Sequence, residues 1–503
     1  PAHRPFQTAG KMNFQSFGFL AFLLVTVTLC LTIARRDRRT AAGGLTLACL
    51  FFYIAGGGWA AFLVLAAGLA VSAAAVRRLT TMRIRVLAGG DGPSAYGDPR
   101  TPGQRRLCLA LAAAWHIGVL AVFKYAGFVT GGRLSLGWVP LGLSFFTFQQ
   151  LWLLKEAYTG GFRLEEGDSL PLYAFFFPSV VSGPILKPQA FFPQLHGEKF
   201  LRPDGRDLAA ALYAIASGMA KKVLLADNLG IVVDNGWARL DKLSAPGAWL
   251  VILGYTLQLY FDFSGYCDIA AGCARLFGLR LPVNFDSPYR SLSVGEFWKR
   301  WHITLTSFLR ECLYFPLGGS KRGTGRAYLN ILIVFLVSGL WHGAGWTFLI
   351  WGGLHGLGQI VERAWGKGRE RLPRLLRWAV TFAFVNAAWV FFRAPGVPQA
   401  LTLLKTAVTA DFRPPAEWLM ADVFAKEAKA FGMVFPALRA WTAPVLTYGL
   451  FAAALLAALW PRNAVGQMDH FKPAFWRAAV LALLAAWSVL SFTGVTTFIY
   501  SNF

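Results

Sequence analysis

The amino-acid sequence predicts an all-α, polytopic integral membrane protein, and three observations support this prediction. Hydrophobic residues make up 56% of the 503 residues and charged residues only 15%, whereas soluble domains average roughly 25% charged residues. The mean hydropathy is positive, at +0.48. The apolar residues fall in runs near the length of about 20 residues that crosses a bilayer as a helix. We therefore expect about 11 transmembrane helices, with re-entrant and short helices between them.

The chain is predicted to form one membrane domain over residues 13–503, after an N-terminal extension over residues 1–12. The first apolar run, Phe14 to Ile33, lacks a clear small-residue cleavage site, so we expect a retained helix. We find no long hydrophilic domain and no phosphate-binding Walker loop, which argues against an ATP-driven pump.

The formal charge of +24 comes from short basic clusters between apolar runs. A continuous basic stripe would indicate nucleic acid, whereas short clusters indicate membrane topology and lipid contact. The positive-inside bias places the loops after the first and third runs in the cytoplasm, so the amino terminus is predicted outside. The clusters comprise Arg35, Arg36, Arg38, Arg39, Arg77, Arg78, Arg83, Arg85, Arg100, Arg105 and Arg106.

The six cysteines are scattered, mostly inside apolar segments, with no CxxC pair and no zinc-like spacing. We expect small core residues, with lipidation as the alternative, and no metal site.

Two apolar runs, residues 137–160 and 170–186, are rich in glycine, proline, serine and phenylalanine. This composition predicts broken or re-entrant helices. Irregular backbone at membrane depth is tolerated only where protein or a wet cavity satisfies its polar groups, so a cavity is implied.

Polar side chains inside apolar runs are the strongest functional signal, because an ionisable group in the bilayer costs several kcal/mol without a partner or cavity. They concentrate in residues 260–268, 296–302 and 338–346. His342 lies mid-run between small residues that permit close approach. An imidazole can take a hydroxyl proton during acyl transfer or hold the acyl group itself. The alternative is a structural, hydrogen-bonded core histidine.

The stretch over residues 296–302 is predicted to begin one helix. One face of this helix would carry Trp298, Trp301, His302, Leu305 and Leu309. His302 would then point inward, while Lys299 and Arg300 occupy other faces. A membrane-surface helix with snorkelling cations is the alternative for these residues.

Further candidates are less specific. Asp262 and Asp268 could orient a histidine, bind a cation or cap a broken helix, and their spacing of six does not place them on one helical face. His355 lines the same channel as His342 or packs structurally. The loop over residues 317–323 either cradles a donor phosphate or forms a flexible basic turn.

At these residues the chain resembles the membrane-bound O-acyltransferase family, particularly its bacterial alginate O-acetyltransferase branch. Weaker matches extend the resemblance from Met12 to the closing Thr497-Phe-Ile-Tyr-Ser-Asn-Phe. The strongest motifs are Gly265-Tyr-Cys-Asp-Ile-Ala, Asn284-Phe-Asp-Ser-Pro-Tyr, Glu296-Phe-Trp-Lys-Arg-Trp-His-Ile-Thr-Leu, Leu317-Gly-Gly-Ser, Gly339-Leu-Trp-His-Gly-Ala and Trp351-Gly-Gly-Leu-His-Gly.

The resemblance implies helices around a central tunnel, with a catalytic core at about 255–365 and His342 at the waist of the tunnel. His302 matches the second histidine of this branch, and both are predicted to be catalytic. Residues expected to contact the donor or substrate are Trp298, Trp301, Lys299, Arg300, Trp341, Ser338, His355, Asp262 and Asp268.

The function implied is membrane O-acyl transfer in the bacterial inner membrane. Acetyl-CoA is the expected donor substrate, no cofactor is expected to be permanently bound, and a periplasmic acetyltransferase subunit would act on an exopolysaccharide such as alginate. The alternatives are D-alanyl transfer from an acyl carrier protein to teichoic acid, and acetylation of peptidoglycan or cellulose. A secondary transporter is the alternative of another class, although we see no corresponding interrupted segments in the two halves of the chain.

Overall fold

The computed structural model describes residues 12, 14–87, 100–165, 167–460, 463–468, 471 and 474–492. Residues 1–11 of the predicted extension and the closing motif at 497–503 lie outside the described residues. Helices dominate, and no strand occurs in the part of the chain that the structure describes.

The described α-helices are numbered in chain order. They are α1 Phe17–Ala34, α2 Arg38–Leu87, α3 Arg100–Leu120, α4 Ala126–Val129, α5 Leu143–Thr159, α6 Leu170–Phe175, α7 Phe177–Val180, α8 Pro188–His196, α9 Gly205–Met219, α10 Asp227–Ala238, α11 Ala245–Leu276, α12 Val294–Arg300, α13 Ile303–Leu309, α14 Thr324–His342, α15 Trp346–Trp365, α16 Arg374–Arg393, α17 Val397–Thr409, α18 Glu417–Met420, α19 Ala425–Val434, α20 Arg439–Ala458, α21 Ala464–Met468 and α22 Phe475–Leu490.

Seven helical segments of the described ranges are long and apolar enough to cross a membrane. Large apolar side chains on several of them face outward, including Leu24, Phe51, Leu111 and Leu456. Lipid solvates such side chains, whereas a soluble protein would bury most of them. The prediction of an all-α, multi-pass membrane protein is therefore confirmed. The figure of about eleven crossings stays a prediction, because the short and interrupted helices do not meet this criterion of length and composition.

The runs predicted to be broken differ from each other. Residues 170–186 are broken as predicted, since α6 and α7 are separated by the non-helical Phe176. A break is wrong for most of residues 137–160, because α5 runs unbroken for 17 residues and only the segment before Leu143 is irregular. A re-entrant path for this segment stays a prediction. α5 buries most of its side chains, so neighbouring protein supports it on nearly all sides.

Helices α9 and α11 form a close pair. A Cβ atom on Gly218 would lie 2.6 Å from the carbonyl oxygen of Gly265, so the two backbones are in contact. Small residues permit such close approach between membrane helices, where packing replaces the hydrophobic drive.

Glycines also permit close approach of the two backbones in the hairpin of α14 and α15. A Cβ atom on Gly339 would overlap the Phe348 carbonyl oxygen, and one on Gly352 would overlap the Phe335 carbonyl oxygen. This hairpin carries His342 at the end of its first helix.

Candidate active site

His342 is the last residue of α14, and its ring is 1% exposed. The imidazole lies edge-on to Trp351, with ring centroids 5.0 Å apart, and to Phe392, with centroids 5.1 Å apart. The ring of the preceding Trp341 is 4.7 Å away. The structure therefore places His342 in an aromatic cage at a helix terminus.

His302 lies at a break between two short helices. Its backbone is left-handed, with φ 45° and ψ 54°, and the preceding Trp301 is extended. The predicted single helix is therefore wrong: α12 ends at Arg300, and α13 begins at Ile303. Side-chain periodicity does not reveal one residue of positive φ, a conformation for which histidine is among the more tolerant residues.

Asn284 orients the His302 ring. The Nδ1 atom of His302 is 3.3 Å from Asn284 Oδ1, which also accepts hydrogen bonds from the Thr304 backbone N–H at 3.1 Å and its hydroxyl at 2.8 Å. An amide oxygen only accepts, so Nδ1 carries a proton here and the lone pair of the neutral ring lies on Nε2.

The indole of Trp341 lies beside both imidazoles, with its centroid 6.1 Å from that of His302 and 4.7 Å from that of His342. Phe148 stacks on this indole at 5.1 Å, and the indole N–H donates to the Ser144 carbonyl at 3.3 Å. The structure thus brings the two predicted catalytic histidines together around one fixed tryptophan.

His355 continues the ring cluster on the other side of Trp351, at a centroid distance of 5.1 Å. The Trp298 indole N–H donates to His355 Nδ1 at 3.1 Å, so the proton of the neutral ring lies on Nε2. Ser338 is buried one turn before His342. Trp301 packs 5.0 Å from Trp389 in the apolar core.

Two cationic candidates lie away from this cluster. Lys299 is exposed. Arg300 pairs with Asp286 and Glu296, each at 3.1 Å. These positions are compatible with the alternative of a membrane-surface helix with snorkelling cations. A role of Lys299 and Arg300 in donor or substrate binding stays a prediction.

The two aspartates of α11 pair with consecutive lysines. Lys221 Nζ is 2.6 Å from Asp268 Oδ2, and Lys222 Nζ is 2.7 Å from Asp262 Oδ1. Both lysines lie in the π-helical turn Ala220–Ala226 that follows α9. The carboxylates therefore contribute to the contact between this π-helical turn and α11. Their role in donor or substrate binding stays a prediction.

The loop over residues 317–323 is held in place by its neighbours. The Asn330 side-chain amide donates to the Gly319 carbonyl at 2.9 Å, and Ser320 contacts Tyr314 at 2.8 Å and Arg363 at 3.1 Å. The loop is thus an anchored basic turn, and its role as a phosphate cradle stays a prediction.

Comparison with known proteins agrees with the resemblance. Residues 170–397 match the membrane-bound O-acyltransferase family. A peptidoglycan O-acetyltransferase of Helicobacter pylori is 38% identical over 355 residues, covering 63% of this chain and 66% of the relative. The chain belongs to the membrane-bound O-acyltransferase family. All three clusters of polar residues predicted inside apolar runs fall within the matched segment.

Two further relatives carry related names. A Pseudomonas aeruginosa protein named "Probable alginate O-acetylase AlgI" is 36% identical over 322 residues, covering 61% of each chain. A teichoic acid D-alanyltransferase of Bacillus subtilis is 27% identical over 273 residues, covering 50% of this chain and 68% of the relative. The chain spans a little under two thirds of the length of the two relatives with the higher identity.

Two residues at this site are not predicted from the sequence. Asn284 appears there only as part of a motif, although it orients His302. Lys124 reaches the end of α14, where its ammonium donates to the Trp341 carbonyl and, at 3.2 Å, to the Ser144 hydroxyl. The signal present in the sequence was a lone lysine in an apolar run, which needs a partner at membrane depth.

Within the described ranges, no group of three or more histidine, cysteine or acidic side chains is placed to hold a metal ion.

Proposed function

We propose that the protein transfers an acetyl group from a cytoplasmic thioester, acetyl-CoA, to hydroxyl groups of a polysaccharide outside the inner membrane. The family and the names of its relatives support acyl transfer, and two of those relatives are named for O-acetylation.

The observation that carries the proposal is the pair of buried imidazoles around Trp341. Two neutral bases enclosed in aromatic rings, inside a membrane body, provide proton acceptors where bulk water is excluded. General-base catalysis needs such a group within hydrogen-bond reach of the proton it removes. Water exclusion also protects an activated acyl group from hydrolysis.

The proposed reaction is balanced without a further reactant. His342 takes the proton of the acceptor hydroxyl while the oxygen of that hydroxyl attacks the thioester carbonyl carbon. The carbon–sulfur bond then breaks, and the coenzyme A thiolate leaves with the proton that the imidazolium returns. An acyl-imidazole on His342 is the two-step variant of the same chemistry. A thioester is already activated, so positioning replaces an external energy source.

Buried polar groups on α5 and α14 support a passage for a polar substrate. In the described part of the chain, Thr147 Oγ1, Ser338 Oγ and both amide atoms of Gln150 are buried and have no hydrogen-bond partner in the protein. Thr147 and Gln150 lie three residues apart on α5, and Ser338 lies one turn before His342. Buried polar atoms normally have partners, so internal water or the amide-bearing arm of a donor would complete them.

The acceptor is proposed to be alginate or a related exopolysaccharide, modified with the help of a periplasmic acetyltransferase subunit. Peptidoglycan is the second candidate, because the Helicobacter pylori relative has slightly higher identity and a longer match.

The test uses purified protein with acetyl-CoA labelled in the acetyl group, and measures free coenzyme A together with labelled polymer. We expect the wild type to transfer label to an added polysaccharide, with the periplasmic subunit where it is needed. His342→Ala should lower the rate by about 10²–10⁴, because it removes the general base. Membrane insertion of this variant should be normal.

Lys405→Met, at an exposed position of α17, is the matched control and should retain the wild-type rate. Wild-type acetyl content with His342→Ala would rule out the proposed site. Transport of an acyl compound without release of coenzyme A would indicate a transporter instead.

A further inference from the structure

The polypeptide changes its helical pitch where it passes the end of α14. After α3, residues Ala121–Tyr125 form a π-helical turn, and α4 follows directly. Single π turns inside α-helices are rare and occur often at functional sites. This turn lies within a candidate membrane span, and it carries a lysine and a tyrosine side by side.

Both side chains bind the carboxyl end of α14. Lys124 donates to the Trp341 carbonyl, and the Tyr125 hydroxyl donates to the Leu340 carbonyl at 2.8 Å. The last carbonyls of a helix have no partner within the helix, and a cation is favourable at that end of the helix dipole. The π turn therefore caps the helix whose final residue is His342.

The same ammonium also fixes the side chain next to His342. Lys124 Nζ lies 5.8 Å from the centroid of the Trp341 ring and 3.2 Å from the Ser144 hydroxyl. Ser144 accepts the Trp341 indole N–H through its carbonyl. Lys124, Ser144 and Trp341 thus form a closed set of contacts that holds both the backbone and the ring of residue 341.

We propose that Lys124 is a positioning residue for His342. By neutralising and binding the end of α14, it sets the direction in which the imidazole leaves the helix. This proposal rests on the proposed acyl transfer for its kinetic consequence, but the geometry that it describes can be measured separately. Displacement of a reacting group by about 1 Å can lower a rate by about 10²-fold.

A purely structural cap would have a different signature. Loss of such a cap would lower the amount of folded protein and leave the turnover of each folded molecule unchanged. Loss of a positioning contact lowers kcat at nearly constant KM for the donor, because donor binding does not require the exact direction of the base.

The first measurement compares wild type, Lys124→Met and Lys124→Arg, each normalised to folded protein. Lys124→Met should lower kcat by about 10–100-fold with KM for acetyl-CoA within about twofold. Lys124→Arg keeps the positive charge and should recover at least half of the decrease in log kcat. An unchanged kcat per folded molecule in Lys124→Met overturns the proposal, as does a loss confined to KM.

The second measurement needs no acyl transfer. Diethyl pyrocarbonate modifies neutral imidazoles, and peptide mass spectrometry follows each histidine separately. His342 should react at least threefold faster in Lys124→Met than in wild type. His342 is only 1% exposed in the wild type, and loss of the Lys124 contact would loosen the end of α14 and make its ring more accessible. His116, buried between α2 and α3 and 2.8 Å from the Ser72 hydroxyl, is the internal reference and should not change.

The two measurements separate the two proposals. If the wild type transfers no acetyl group, the proposed function fails, and the modification rate of His342 still decides the positioning claim. If Lys124→Met does not fold, Ser144→Ala removes only one acceptor of the ammonium and should give a smaller loss of kcat, about twofold to fivefold, with faster modification of His342. An unchanged rate of modification in the folded variant overturns the proposal.

Discussion

Two buried polar regions of this protein satisfy their side chains in opposite ways. Between the π-helical turn Ala220–Ala226 and α11, oppositely charged side chains form ion pairs: Lys221 binds Asp268, and Lys222 binds Asp262. Around Trp341, the imidazoles of His302 and His342 lie among aromatic rings, and the partner of His302 identified at Nδ1 is a neutral amide.

The difference separates structure from chemistry. A buried ion pair leaves neither group available, because breaking it exposes an uncompensated charge. An imidazole among aromatic rings keeps a nitrogen that can exchange a proton without breaking an ion pair. Buried ionisable residues in a membrane body therefore indicate a reactive site only when their partners are known.

The largest expected effect concerns His302. His302→Asn should lower acetyl transfer by about 10³-fold, within the range for loss of a general acid–base group, while the protein folds normally. Asparagine tolerates positive φ and therefore preserves the backbone at this position. Turnover per folded molecule, measured with labelled acetyl-CoA, is the readout. Near-wild-type turnover would place His302 with the structural residues.

Breaking one of the buried ion pairs should lower the stability of the protein. Asp268→Asn leaves Lys221 without its counter-charge, so the free energy of unfolding should fall by about 3 kcal/mol. The double variant Lys221→Met with Asp268→Leu removes both charges and should recover most of that loss. Thermal unfolding in detergent gives the stability, and activity per folded molecule should stay within about twofold of wild type. A loss of turnover at normal stability would show that Asp268 contributes to activity.

The smallest effect is expected at Asp204, which caps the start of α9 outside the membrane span. Hydrogen bonds from the Asp207 backbone N–H and from Lys199 lower the pKa of Asp204 from 3.8 to about 2. Its folded pKa lies below its unfolded value, so the stabilising contribution is present above about pH 4 and is lost as the pH falls towards 2.

The matched variant for that position is Asp204→Ser, which keeps a capping oxygen and removes the charge. The Tm difference between wild type and variant should shrink as the pH is lowered from about 6 to about 2.5. A difference that stays constant over this range would show that the charge of Asp204 does not contribute.

Composition and periodicity were enough to predict the membrane class, because long apolar runs with sparse charges are rare in soluble proteins. Both central histidines were also predicted, since an ionisable group in an apolar run needs a reason to be there. These inferences depend on single segments and need no knowledge of what lies next to them.

The remaining features depend on partners that are distant in the sequence. Asp262 pairs with a lysine 40 residues earlier, and Lys124 reaches a carbonyl 217 residues later. The break at His302 depends on one left-handed residue, and the hydrophobic pattern through it is compatible with an unbroken helix. Periodicity reports which face is apolar, whereas pairing and backbone reversal are set by the tertiary fold.

The backbone contact between Gly339 and Gly352 limits how this protein could be redesigned for bulkier acyl donors. Even one added methyl group at either position would overlap a carbonyl oxygen of the facing helix, so these sites cannot be used to change the surroundings of His342. Room for a longer chain would have to come from trimming the surrounding rings, with Phe145 and Phe392 as the first choices because they flank Trp341 and His342. If the proposed acyl transfer holds, acyl-length selectivity would therefore be changed through the aromatic side chains, while Gly339 and Gly352 are kept.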